Sequence, residues 1–135
     1  MPAQTTGRIT YTNWEESKAG PDGTHPRLAR ACVTNSFAGG IEAAGTTCEY
    51  TLVYTGDTTG TFTGLELLAG RQDGRAGSFV IEQHGTFGAD GTVRCAFEVV
   101  PGTGTGELAG LSGSGTFTHR AGEPSFPYTF DYRLG

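Results

Sequence analysis

Apolar and polar residues alternate with a period of two along most of this chain. In Phe126–Leu134 (FPYTFDYRL), Phe126, Tyr128, Phe130 and Tyr132 share one parity and Pro127, Thr129, Asp131 and Arg133 the other. In Thr47–Thr55 (TCEYTLVYT), Tyr50, Leu52 and Tyr54 stand on one parity. Such alternation marks strands with one buried face. It predicts further strands at Gly7–Glu15, Leu28–Phe37, Ile41–Ala44, Thr61–Ala69, Gly77–Phe87, Thr92–Val100 and Leu108–Thr118. Turn-forming residues separate them: a loop over Ser17–Pro26, turns at Gly39–Gly40, Gly56–Gly60, Gly70–Gly74 and Asp90–Gly91, and a link at Arg120–Pro124. Many short strands at regular spacing signal a sandwich or a barrel. The expectation is an all-β chain, residues 1–135 forming one small antiparallel closed β-barrel of about eight strands. Closure removes exposed sheet edges. An interior of that size is either filled by side chains or holds one small ligand.

Composition agrees with this. Glycine makes up 23 of 135 residues, more than twice the usual ~7%. Glycine weakens helices by about 1 kcal/mol per site and serves tight turns. The formal charge is −5, with no cluster of Lys or Arg, so nucleic-acid binding has no electrostatic footprint. No apolar run approaches the ~20 residues of a membrane-spanning helix. The start, MPAQTTGRIT, has neither the basic opening nor the apolar centre of a secretory signal. Cys32, Cys48 and Cys95 are odd in number and far apart, which fits a reducing compartment and small buried side chains better than a disulfide framework. A cytoplasmic location is expected.

Several sharper motifs fail. Gly104–Ala109 matches a G-x-G-x-x-A dinucleotide pattern but lacks the βαβ unit that gives it meaning. The single lysine, Lys18, is in no phosphate-binding loop, and Gly110–Ser114 breaks the nucleophile-elbow pattern at its last position. His25, His84 and His119 are scattered and no cysteine pair has zinc spacing. No metal and no cofactor is expected.

Candidate chemistry follows from strand parity, since residues two apart share a face. Thr12, Trp14 and Glu16 share one. A carboxylate beside an indole in a dry interior has its pKa raised and can act as a general acid or base. If the strand ends early, Glu16 simply meets solvent. Glu66 shares parity with Phe62, Gly64 and Leu68; a carboxylate among such neighbours is buried and paired, with Arg71 or Arg75 as candidate partner, or functional. Glu16 and Glu66 are therefore the candidate catalytic residues. Trp14, Tyr50, Tyr54, Tyr128, Phe130 and Tyr132 are candidate walls of a ligand site, although such faces also suit plain core with each hydroxyl bonded to backbone. Ser78, Val80, Glu82, His84 and Thr86 alternate with Phe79, Ile81, Gln83, Gly85 and Phe87. His84 lines the site if the polar set faces inward. An outward Phe79, Ile81 and Phe87 would instead favour a homo-oligomer.

The segments PGTGTGELAGLSGSGTF, GEPSFPYTFDYRL, GSFVIEQHGTF, FTGLELLAG and NWEE, taken in order, resemble the bacterial domain-of-unknown-function 3224 family over essentially the whole chain. The resemblance implies a barrel of the allene oxide cyclase-like group, calycin-like in architecture and similar to plant dirigent proteins. Plant allene oxide cyclases carry a Glu and an Asn two residues apart in the first strand. Aligned on Tyr11, those places are Thr12 and Trp14 here, so the acid is missing from that position and Glu16 offers a displaced carboxylate. The expected function is a cofactor-free cyclase or isomerase, or a stereocontrol protein, that holds one conformer of a small hydrophobic molecule. The alternatives are a non-catalytic, lipocalin-like binding protein and a structural barrel with a filled interior. A homo-oligomer, dimer or trimer, is expected.

Overall fold

The computed structural model describes residues 3–18 and 26–134. Its strands are β1 (Ala3–Lys18), β2 (Arg27–Gly39), β3 (Ile41–Tyr54), β4 (Gly60–Gln72), β5 (Arg75–Phe87), β6 (Val93–Val99), β7 (Ser112–His119) and β8 (Ser125–Arg133). Each pairs antiparallel with the next, and β8 returns to β1 with Tyr132 opposite Ala3 and Ser125 opposite Thr10. The closed eight-stranded barrel expected from the alternation is what the chain forms.

Several boundaries differ from the sequence expectation: β1 starts at Ala3, and β4 runs to Gln72 and β5 from Arg75, which narrows the expected Gly70–Gly74 turn to Asp73–Gly74. Ile41–Ala44 and Thr47–Thr55 form one strand, carried through Gly45 at φ +66°, with the register to β4 shifting between Glu42 and Cys48. Strand β7 begins at Ser112, because Gly106–Leu108 forms a short 3-10 turn instead. Strand β1 continues through Ser17 to Lys18; the rest of the expected loop, residues 19–25 with His25, lies outside the described residues. No helix among the described residues is long and apolar enough to cross a membrane.

The glycines do more than turn the chain. On the inner face Gly64 lies opposite Tyr50, Gly85 opposite Phe62, Gly115 opposite Phe97 and Gly7 opposite Tyr128. A Cβ at Gly85 would stand 2.6 Å from Phe62 Cζ, and one at Gly64 2.9 Å from Tyr50 Cε1. Carbon atoms pack best at ~3.5–4.0 Å. The large rings therefore lie against bare backbone of the neighbouring strand.

One end of the barrel is closed. Phe130, fully buried, stacks at 6.3 Å on Phe79, 5.7 Å from Phe97 and 5.4 Å from Tyr132. Leu108 and Leu111 from the β6–β7 segment complete this cluster. The same segment covers a sheet edge. Strand β6 pairs only with Ile81–Phe87 of β5. Beyond it, the Val80 N–H donates to Thr103 Oγ1 (3.1 Å), Ser78 N–H to Thr105 Oγ1 (3.0 Å) and Ala76 N–H to Glu107 Oε1 (3.1 Å). The Gly-Thr-Gly sequence thus supplies hydroxyls to a strand edge that would otherwise be open.

The inner parity also settles several positions. Phe79, Ile81 and Gln83 are buried inside, so Phe79, Ile81 and Phe87 present no outer apolar face for an oligomer. Cys48 and Cys95 are buried free thiols, whereas Cys32 is half-buried opposite Glu15 and Glu49, not fully enclosed as expected.

Candidate functional site

Away from the Phe130 stack the barrel holds a cavity of about 600 Å³ that opens at the other end. Tyr50, Leu52, Phe62 and Phe117 wall it, Trp14, Tyr54, Ala89 and His119 stand at its rim, and Asn35, Glu66 and Gln83 form the polar part of its floor. Strand β1 builds the rim. Strand β8 pairs with it only as far as Thr10, so Tyr11 onward is held by β2 alone. A register shift between Thr12 and Glu15 then changes which side chains face inward. Before it, Tyr11 pairs with buried Asn35; after it, Glu16 pairs with buried Ala31. Thr12, paired with Thr34, is left on the outer face, so the expected Thr12–Trp14–Glu16 set is split.

Glu66 is the centre of the floor. It is 1% exposed. Asn35 Nδ2 donates to its Oε2 at 2.8 Å and Gln83 Nε2 to its Oε1 at 2.7 Å, and the Thr46 hydroxyl also bonds Oε2. Tyr50 donates its phenol to Gln83 Oε1 at 2.8 Å, which fixes the Gln83 amide. These neutral partners take the place expected for Arg71 or Arg75; the Arg71 guanidinium instead meets the Gly74 carbonyl at 3.3 Å. Burial raises the Glu66 pKa above the ordinary glutamate value, against the pull of its hydrogen bonds from Thr46, Asn35 and Gln83. The neutral acid is also satisfied here. Its proton can go to Thr46 Oγ1, whose own hydrogen reaches the Asn35 carbonyl at 3.3 Å.

Glu16 is exposed at the mouth and outside the cavity lining. It accepts from Trp14 Nε1 at 3.2 Å and from the Tyr54 hydroxyl at 2.6 Å, so it positions two rim rings. The Arg27 guanidinium lies 3.7 Å over the Tyr54 ring. Burial, with the Glu16 carboxylate second, pushes the Tyr54 phenol up to about 12, which keeps it a donor.

The remaining expected residues separate. Trp14, Tyr50 and Tyr54 line the cavity. Tyr128, Phe130 and Tyr132 face the interior but belong to the closed half. The Tyr128 hydroxyl is tied to the backbone of Ala38 and Ile41, and that of Tyr132 to Asp73. His84 is exposed on the outer face and the structure does not bring it to the cavity. Sequence reasoning missed Asn35, Thr46 and His119. Asn35 was recoverable as the one polar residue between Ala29 and Phe37 on the parity of Ala29, Ala31, Val33 and Phe37. Among the described residues no three His, Cys, Asp or Glu side chains cluster as metal ligands would.

Fold and site together define a class: a one-ended antiparallel barrel with an aromatic-walled interior and a buried carboxyl at its base. The chain belongs to the family described as "Protein of unknown function (DUF3224)", whose model matches residues 5–132. It is similar to the crystal structure of a DUF3224-family protein of unknown function from Shewanella oneidensis MR-1, with a TM-score of 0.82 and 26% identity, covering 100% of this chain and 99% of that one. None of the curated proteins matches it.

Proposed function

We propose that this protein binds one small, mostly apolar molecule inside the barrel. The observation that carries this reading is the cavity of about 600 Å³ with aromatic walls and a polar floor, within the range of small-molecule sites, ~300–1,000 Å³. The one tryptophan of the chain stands at the rim and provides the assay. N-phenylnaphthylamine, a neutral apolar dye, should bind saturably and accept energy from Trp14. Val33→Phe, which fills the cavity, should abolish this without unfolding the barrel. Absence of saturable binding, or binding unchanged in Val33→Phe, would refute the proposal.

A second reading adds conversion to binding, and the position of Glu66 favours it. A carboxyl with a raised pKa that faces the cavity can give a proton to one atom of a bound molecule and recover one from another. The outcome is isomerisation or cyclisation with no net change in protons, the cofactor-free chemistry that the allene oxide cyclase-like resemblance implies. Incubation of small-molecule extracts with the protein and with Glu66→Gln tests it. Products formed equally by both, or by neither, remove the catalytic reading and leave binding.

A further inference from the structure

We infer that the molecule this cavity takes is an organic cation, with an apolar body against the walls and one protonated amine beside Glu66. This rests on the cavity being the ligand site and adds the charge of the ligand. Glu66 is the single carboxylate among the lining residues, and no Lys or Arg side chain of the described residues joins them. An anionic ligand would find no counter-charge on the floor, where Glu66 is the one carboxyl and His119 stands away at the rim, and burying an unpaired charge is strongly unfavourable. An ammonium group finds its counter-charge on the floor. It also finds room there. An ionised carboxylate has about four acceptor sites; Asn35, Gln83 and Thr46 donate to three of them, and the fourth neighbour, the Cys48 thiol, is a weak donor that an ammonium group displaces.

The walls point the same way. Aromatic faces carry the negative part of the ring quadrupole and attract cations that approach within ~6 Å. Trp14, Tyr50, Phe62, Phe97 and Phe117 supply such rings along the cavity. At the mouth, the Glu16 carboxylate holds two rim rings, and the chain as a whole carries −5. That field raises the local concentration of cations.

Three probes with one apolar body and different head groups test the assignment: naphthylethylamine, naphthylethanol and naphthylacetate, titrated by calorimetry at neutral pH. The amine should bind at least about tenfold tighter than the alcohol, with the acetate weakest. In Glu66→Gln the amine should fall to the affinity of the alcohol, which itself stays constant. The ranking in the unaltered protein needs no variant, so a misfolded Glu66→Gln does not rescue the idea. An alcohol or acetate that binds as tightly as the amine overturns it. So does failure of all three while N-phenylnaphthylamine still binds. Failure of that dye as well falls instead on the cavity as a ligand site.

Discussion

The glycine opposite Tyr50 gives a quantitative test of how the interior is built. Gly64→Ala adds one methyl group that would overlap Tyr50 Cδ1 and lie 2.9 Å from Tyr50 Cε1 and 2.6 Å from the Glu49 carbonyl oxygen. Gly64 lies within β4 without a positive φ, so alanine can adopt the backbone and gains ~0.4–1 kcal/mol through the unfolded chain. Overpacking opposes this with a penalty of ~1–3 kcal/mol, leaving a net loss of about 1–2 kcal/mol. Unfolding entropy near 2.1 cal/mol/K per residue makes each kcal/mol worth about 3–4 °C for a chain this long. The melting temperature should fall by about 4–7 °C. Gly88→Ala, whose methyl meets only Asp90 Oδ1 at 3.3 Å, should stay within about 0.5 kcal/mol. A double-mutant cycle with Tyr50→Ala isolates the ring's share, expected as a coupling of about 0.5–1.5 kcal/mol. Thermal melts followed by circular dichroism read both quantities. A Gly64→Ala protein as stable as its parent, or a cycle with no coupling, would refute the account of ring against bare backbone.

Other expectations concern charge, the closed end and the rim. Glu66 has a folded pKa raised by burial, while Cys48, Tyr50 and Cys95, which face it, are also pushed up and stay neutral near pH 7. Its contribution to stability is complete below its ordinary value of 4.5 and is lost as pH rises through the folded pKa. The urea midpoint of the parent relative to Glu66→Gln should therefore decline across that window, and parallel profiles would contradict this. Leu108→Ala, at the fully buried plug, should lose about 2–5 kcal/mol in urea unfolding yet keep dye affinity in the folded protein; a loss under 1 kcal/mol would contradict the plug. Glu16→Ala should shift Trp14 emission and weaken dye binding, with a stability change below about 1 kcal/mol because the group is exposed; unchanged emission would show that Glu16 does not hold the rim.

The barrel was legible because nearly every strand alternates cleanly, down to the aromatic Phe126–Tyr132 face of the last one. The site was less so. Parity divides β5 into His84 and Gln83 sets but does not say which is inside; that depends on the neighbouring strands. Tyr128, Phe130 and Tyr132 are expected as walls of a ligand site, but the end of the barrel that is filled is decided by Leu108 and Leu111, which arrive from a different segment. Glu66 stood out as a carboxylate among apolar neighbours. Its partners did not, since Thr46 follows the irregularity at Gly45 and Asn35 comes from a strand two positions away in the sheet. The shift between Thr12 and Glu15 breaks the period itself, and no rule based on that period can anticipate it.

That shift sits where β1 has β2 as its neighbour and β8 has already ended. A residue gained or lost there is absorbed against one partner, and the ladder that closes the barrel, from Ala3 to Thr10, is untouched. The mouth can therefore be recut by single-residue insertions and deletions while the floor around Glu66 and the plugged end stay fixed.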